Sequence, residues 1–580
     1  SASLGRIYQD LGFEQLALVQ GRQSLVANPA AYSAHRFLAD SYHALPRHEI
    51  ARVSELLQSQ LLQPLNLTPV QPQLAESNLA ILDGAGPAAA SLHEFNPLFS
   101  RNRLTLQASG VAGSNDSFGD ELTHAAIWNR WSYSLGQFYY HSDGFRQNNE
   151  QSTTLYNAFL QTMLSPSTSL LSELRLREKS FGDLALRFDP QDYHPGIEQS
   201  DDIASLRIGA RHDLAADSTL IGTAVISSTE GNATGIEEFG VGVDISNDSD
   251  NGMAEIQHLY RGTRFNLQSG AGYLVSDETE EISLSPPIAS LSVADTTTRH
   301  VNAYSYAQLD LTAELTATVG LSGDLLDSPV KDREELNPKL GVSWQPLDGT
   351  RIRAAAFKNM QRRLVYAQTI EPTQVAGFNQ LFDDFAATSA WTYGLGIDQS
   401  WPGSWFAGLQ VFRRQLDVPF TSVGPTGIPE QVEDDWQEDI GSAYLYWTPC
   451  RWAALGLDYY YERFSHDRWE GPQGIAELTT HRLTPKIHLF HQSGWRAAVE
   501  ASYLDQHGDF GSTFTGFTDD SDRFWLVDLS LGYRLPNRRG YVSLEVKNLL
   551  DETFRFLDTD PAQPRLLPER QFMLRLTVIW

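Results

Sequence analysis

Cysteine is nearly missing from this chain: Cys450 stands alone among 580 residues. One thiol excludes an internal disulfide and any metal site built from cysteines. Long apolar runs are missing as well. Hydrophobic residues make up 41% and the mean hydropathy is −0.32, and no stretch approaches the ~20 continuous apolar residues of a spanning helix. Positive charge is scarce: 43 Lys and Arg stand against 72 Asp and Glu, a net −29 that repels nucleic acid and excludes it as a partner. Signatures of chemistry are missing too. His48-Glu49 opens like a zinc-protease motif without its second histidine, and Gly320-Leu321-Ser322-Gly323 fails the spacing of a nucleophile elbow. Asn247-Asp248-Ser249-Asp250-Asn251-Gly252 misses the calcium-loop positions and reads as a solvated loop, at most a loose site for divalent ions. No catalytic, cofactor or metal residue is assigned. Ser1 is neither an initiator methionine nor part of a signal peptide, so the reading expects a removed export signal or a longer precursor.

What the chain has is alternation. In the final segment, Phe572, Leu574, Leu576, Val578 and Trp580 alternate with Met573, Arg575, Thr577 and Ile579. Period two puts successive side chains on opposite faces of a strand. One face is apolar and ends in an aromatic, like the closing strand of a bacterial outer-membrane β-barrel. The same alternation recurs from Arg101 onward, as where Val527, Leu529, Leu531, Tyr533 and Leu535 oppose Asp528, Ser530, Gly532 and Arg534. Counting such segments gives 22 strands within 101–580, the last at 570–580 beside 540–549 and the first at 101–113. Tight turns such as Pro402-Gly403 and Pro536-Asn537-Arg538-Arg539 alternate with longer connections at 229–251, 277–298, 362–390, 419–436 and 508–521. That asymmetry is expected of outer-membrane barrels, with short turns in the periplasm and long acidic loops outside. Trp401, Trp405, Phe406, Tyr446 and Trp447 crowd the short-turn junctions and are expected to form an interfacial girdle. The fold expected is a mainly β, 22-stranded antiparallel transmembrane barrel preceded by a short α-helical domain.

That front domain spans 1–62. Leu4, Gly5, Tyr8, Ala17 and Pro29 mark one unit, and Leu38, Ala39, Tyr42 and Ala51 mark a second. Four pairs, Leu4–Leu38, Gly5–Ala39, Tyr8–Tyr42 and Ala17–Ala51, share an offset of 34. Small residues at this period let paired helices approach closely, and the pattern resembles tetratricopeptide (TPR) repeats. The reading places these units in the periplasm and expects further ones before Ser1. Residues 63–100 turn to Pro, Asn and Gln, with the breaker Gly84-Ala85-Gly86-Pro87, and form a linker expected to lie partly inside the barrel or across its mouth.

Val546-Lys547-Asn548-Leu549-Leu550-Asp551-Glu552-Thr553-Phe554 resembles the penultimate-strand signature of TonB-dependent outer-membrane receptors, with Asn548, Leu549, Leu550 and Asp551 at its centre. Thr369-Ile370-Glu371-Pro372 through Trp391-Thr392-Tyr393-Gly394-Leu395-Gly396 resembles their mid-barrel stretch. The resemblance implies a 22-stranded barrel and, for such receptors, a globular plug and a TonB box; neither is recognisable here. Helical repeats before a barrel resemble exopolysaccharide export porins instead. The expected function is therefore an outer-membrane channel or transporter, for export or uptake, whose repeats recruit a periplasmic protein. The alternatives are a non-transporting scaffold for a surface or periplasmic assembly, docking through 362–390 and 419–436, and a TonB-dependent import receptor with an atypical plug. The other partner expected is the outer membrane itself, with its lipopolysaccharide.

Overall fold

The computed structural model describes residues 2–43, 45–65, 102–238, 241–286, 290–423, 429–466, 475–512, 516–559 and 564–580. Most of the 63–100 linker therefore lies outside the described residues, and with it the expectation that it occludes the lumen.

Twenty-two strands form one antiparallel sheet. Each pairs with its successor in the chain, and the sheet closes because Gln571–Ile579 pairs with both Gly540–Lys547 and Arg103–Gly113. Val578 lies opposite Gly540 on one side and Ala108 on the other. At the seam, the Thr577 and Ser109 hydroxyls are 3.0 Å apart. A closed sheet leaves no edge, which is what a strand protein needs in hydrocarbon. Phe572, Leu574, Leu576 and Trp580 are exposed on the outer surface, whereas Thr577 is buried on the inner one. The outer wall carries a broad apolar band, as at Leu206, Ile208, Ile256, Leu395 and Leu531.

Four expected loops are instead paired strand. Ser218–Glu238 and Val241–Arg261 carry the ladder through most of 229–251, and Phe265–Leu284 with Ser290–Asp310 do the same for 277–298. Trp405–Val423 and Pro429–Cys450 replace most of 419–436, and Trp495–Ser512 and Gly516–Arg534 most of 508–521. The acidic run at Asn247 to Gly252 sits in this ladder, with Asp250 opposite Asp277 and Asp248 opposite Glu230. Beyond the membrane both faces of a strand meet water, so the dry face that betrays a strand in sequence ends there while backbone pairing continues. The girdle also needs correction. Trp401 and Trp405 face outward, and Trp405 stacks on Trp447 at 4.7 Å. Tyr446, one residue out of phase, points inward and is fully buried, and Phe406 also packs against inward-facing groups.

Before the barrel come α1 (Ala2–Asp10), α2 (Glu14–Ala27), α3 (Tyr32–Tyr42) and α4 (Glu49–Leu62). Gly12, at φ +78°, turns the chain between the first two in a conformation that favours glycine. The offset of 34 relates α1 to α3 and α2 to α4. Arg6 and Asp40, 34 residues apart, form an ion pair at 2.7 Å, and a Cβ on Gly5 would sit 2.5 Å from the Phe37 ring. Ala17, Leu38, Ala39, Tyr42 and Ala51 are buried between helices, while Leu4 is 38% exposed.

The helices do not stand clear of the barrel, as the sequence reading expected. The same bundle touches inward-facing side chains from strands all round the ring: Gln161, Arg211, Asn266, Tyr446, Lys486 and Arg496. Contact with walls so far apart is possible only from inside. α4 makes the point chemically, because every residue from Ile50 to Leu62 is buried, the polar Arg52, Ser54, Glu55, Gln58 and Gln60 included. A helix hidden on all sides belongs to an interior. Here that interior is a polar lumen.

Candidate functional site

The plugged lumen is the candidate site, and its contacts form three sets. At the short-turn end, α1 and the start of α2 dock on the wall. Phe13 stacks on Tyr446 with ring centres 4.5 Å apart and planes 1° from parallel, and Tyr8 meets Phe406 edge-on at 5.3 Å. Lys486 donates to Glu14 at 3.3 Å and pairs with Asp458 at 2.7 Å, and Arg496 reaches Asp10 at 3.4 Å. Gly12 passes so close to His488 that a Cβ would lie 2.3 Å from its ring.

In the second set, on wall positions as near the short turns as Tyr446 and Lys486, the wall answers the exposed ends of helices. Arg211 donates to the Leu62 carbonyl at 2.6 Å and Gln161 to that of Gln63 at 3.0 Å, satisfying acceptors that a helix C-terminus leaves open. Asn266 does the same for Val26 at the end of α2. Arg207 bridges Gln60, Glu173 and Gln368. Each bond replaces water, which is why the polar side chains of α4 can be buried without a prohibitive cost.

The third set overturns the expectation that 362–390 is an exposed docking loop. From Gln361 to Thr388 the chain folds into the lumen and is mostly buried. Its first limb is clamped to the wall: Arg362 reaches Glu371 at 2.8 Å and Glu255 at 3.4 Å, Tyr306 donates to Glu371 at 2.5 Å, and Gln257 donates to the Ile370 carbonyl at 2.6 Å. Its face meets α4, where the Thr369 N–H donates to Ser54 at 3.1 Å and the Thr373 hydroxyl donates to Glu55. The limb that runs back to the strand at Ser389 meets the α3–α4 turn. Arg47 pairs with Asp384 at 3.1 Å and with Glu438 at 2.7 Å, and Arg414 pairs with the same two acids. Burial works against the Arg47 charge, yet Glu438, Asp384 and Glu462 outweigh it and raise its pKa. Burial likewise opposes ionising Asp384, but Arg414 and Arg47 hold its carboxyl below the usual range. His48 at the same turn is driven the other way. Burial, opposed by its 2.7 Å contact with the Pro46 carbonyl and reinforced by Arg22, Arg47 and Arg565, pushes it down to about 3 and keeps it neutral.

The sequence-predicted residues fall in different places. Thr369 to Pro372 lie at the buried heart of the folded-in loop, whereas Trp391 and Tyr393 face outward. Asn548 and Asp551 take left-handed backbone, with φ of +49° and +59°, and end the penultimate strand. The Asn548 side chain accepts from the Glu552 N–H and donates to its carbonyl, both at 2.8 Å, and Asp551 caps Arg570 at 3.0 Å. Leu549 and Leu550 are exposed. The motif is thus a turn that launches 548–570. Arg47, Asp383, Asp384, Arg207 and Lys486 carry the site without having been singled out. An inward register position could have flagged Arg207 and Lys486; nothing local flags the other three.

A closed 22-stranded barrel with an occupied lumen defines a plugged outer-membrane β-barrel. The family model for the TonB dependent receptor-like β-barrel matches residues 75–549, and the chain belongs to that family, one of outer-membrane transporters and receptors. Its fold is similar to that of the copper transporter OprC, at 12% identity and a TM-score of 0.63 over 84% of this chain and 81% of that one. It is also similar to the FrpB iron transporter from Neisseria meningitidis (13%, 0.64, 83% and 82%) and to the ferric citrate transporter FecA in its unliganded form (11%, 0.62, 84% and 79%). No curated protein sequence matches the chain.

Proposed function

We propose that this protein is a gated outer-membrane transporter whose lumen is occluded by its own α1–α4, and that passage of a solute requires the helices to shift. The observation that carries the reading is the ring of inward-facing side chains, from Gln161 round to Arg496, that grips one helical bundle. A 22-stranded lumen is too wide for wall side chains to fill, so an open one would leak. Family membership supports transport of a solute through the barrel, and the copper, iron and ferric citrate transporters similar to it in fold are consistent with uptake. The helical repeats would receive a periplasmic protein at the short-turn end, where α1 leaves Leu4 and Ile7 exposed. On this reading the recruiting surface is the mouth of the plug, and the partner's task is to move it.

Planar-bilayer conductance tests the reading. The intact chain should insert as a closed or rarely opening channel, and a chain lacking 2–62 should form a large, steadily open pore. Equal conductance of the two would sink it.

A further inference from the structure

The α3–α4 turn is held by two long-loop-end segments at once. From the folded-in loop, Asp383 accepts the Glu49 N–H on one carboxylate oxygen and the Ile50 N–H on the other, each at 2.8 Å. These are N-terminal donors of α4, which a helix cannot satisfy itself. The residue that should cap them, His48, makes no side-chain cap, so the cap comes from a residue more than 300 positions away. Beside it, Asp384 holds Arg47, and Arg414 lies over the Phe382 ring at 3.9 Å, fixing this return limb to the wall. Phe382 in turn packs edge-on to His48 at 5.1 Å. From the second segment, 548–570, Arg565 donates to the Leu45 carbonyl at 2.9 Å and to that of His43 at 3.3 Å. One helical turn thus receives carboxylates on its donors and a guanidinium on its acceptors.

We propose that Asp383 and Arg565 are a latch through which the two outer loops hold the helical plug shut, so that a solute drawing either loop aside from outside releases the α3–α4 turn. The inference rests on the reading of α1–α4 as the occluding element. Its logic is one of satisfaction. With the return limb drawn away, the first N–H groups of α4 lose their acceptors and Arg47 loses one of its acids, in an interior where both losses are costly. The turn must then follow the loop or rearrange. The first limb of the loop keeps its own anchors at Arg362, Glu371 and Tyr306, so the return limb at 381–388 can move without the whole loop leaving the barrel.

The test uses the full-length protein in planar bilayers. Asp383→Ala and Arg565→Ala should each raise open probability at least tenfold, with the folded barrel's electrophoretic mobility unchanged. In a Cys450→Ser background, the pair Glu49→Cys and Asp383→Cys should fall below wild-type opening when oxidised and recover on reduction. If the single variants and the locked pair all open like the wild type, while deletion of 2–62 opens the pore, the latch is refuted and the plug stands. If the deletion leaves the pore sealed, the occluding reading fails and takes the latch with it.

Discussion

Phe13→Ala offers the sharpest test of how firmly the bundle is docked. Phe13 is 1% exposed, stacks on Tyr446, tilts against Phe406 at 6.2 Å and shares a cluster with Leu16, Tyr444 and Ala454. Truncating a buried phenylalanine costs about 3–5 kcal/mol, since the methylene and ring contacts vanish and the space does not fully collapse. The ring stacks on a wall residue, not within the bundle, so much of that loss falls on docking. At ~1.4 kcal/mol per decade, even half of it shifts the docked-to-undocked ratio by more than tenfold. Limited proteolysis of the detergent-solubilised protein reads this directly: the variant should be cut within α1–α2 at least ten times faster than the wild type, while the barrel keeps its heat-modifiable mobility. Leu4→Ala, on the exposed side of α1, should change the rate little, as surface substitutions usually do. Equal cleavage of wild type and Phe13→Ala would refute the claim that this stack holds the plug.

Three further outcomes are expected. Arg47→Met leaves Asp384 and Glu438 sharing Arg414 and takes the cation from beside Glu462, a broken buried network of the kind that costs about 3–5 kcal/mol, and should raise conductance and protease sensitivity of the helices. His48, held near 3 in the folded chain against ~6.5 unfolded, makes folding bind fewer protons below neutrality. Lowering the pH from about 6.5 towards 3 should therefore loosen the plug, by at most ~1.4 kcal/mol per unit and less in so far as His48 meets water; His48→Gln should flatten the difference between proteolysis rates at pH 7 and pH 5. Leu576→Arg puts a charge on the lipid face of the closing strand and should cost about 2–4 kcal/mol in urea unfolding if it sits near mid-bilayer, where Thr577→Ser on the lumen side should cost far less.

How much of this was legible in the sequence depended on where each residue's partners lie. Strands announce themselves locally, since lipid on one side and lumen on the other force period two, and tight turns such as Pro402-Gly403 fix their lower ends. The upper ends were misjudged because water on both faces erases the alternation at places like Ser246 and Glu281, although the two residues are paired. The stretch 362–390 was misjudged for a related reason. Its Gln, Asn, Thr and Glu residues read as solvated, but a polar wall can bury polar residues, as Gln257 does for Ile370 and Tyr306 for Glu371. The offset of 34 betrayed two helical hairpins. Their place inside the barrel was not legible, since Phe13 and Tyr446, or Glu49 and Asp383, meet across more than 300 residues.

The burial of α4 on every side has a consequence for how this protein can be made. Beside its apolar stripe of Ile50, Val53, Leu57 and Leu61, its buried Arg52, Glu55, Gln58 and Gln60 leave it no face meant for water, and its first donors are capped from elsewhere. Residues 1–62 cut free of the strands would lack the medium in which that helix is at home, so host and guest should reach their native states together. The sheet, which seals through its first and last strands, should therefore close around α4 and not ahead of it.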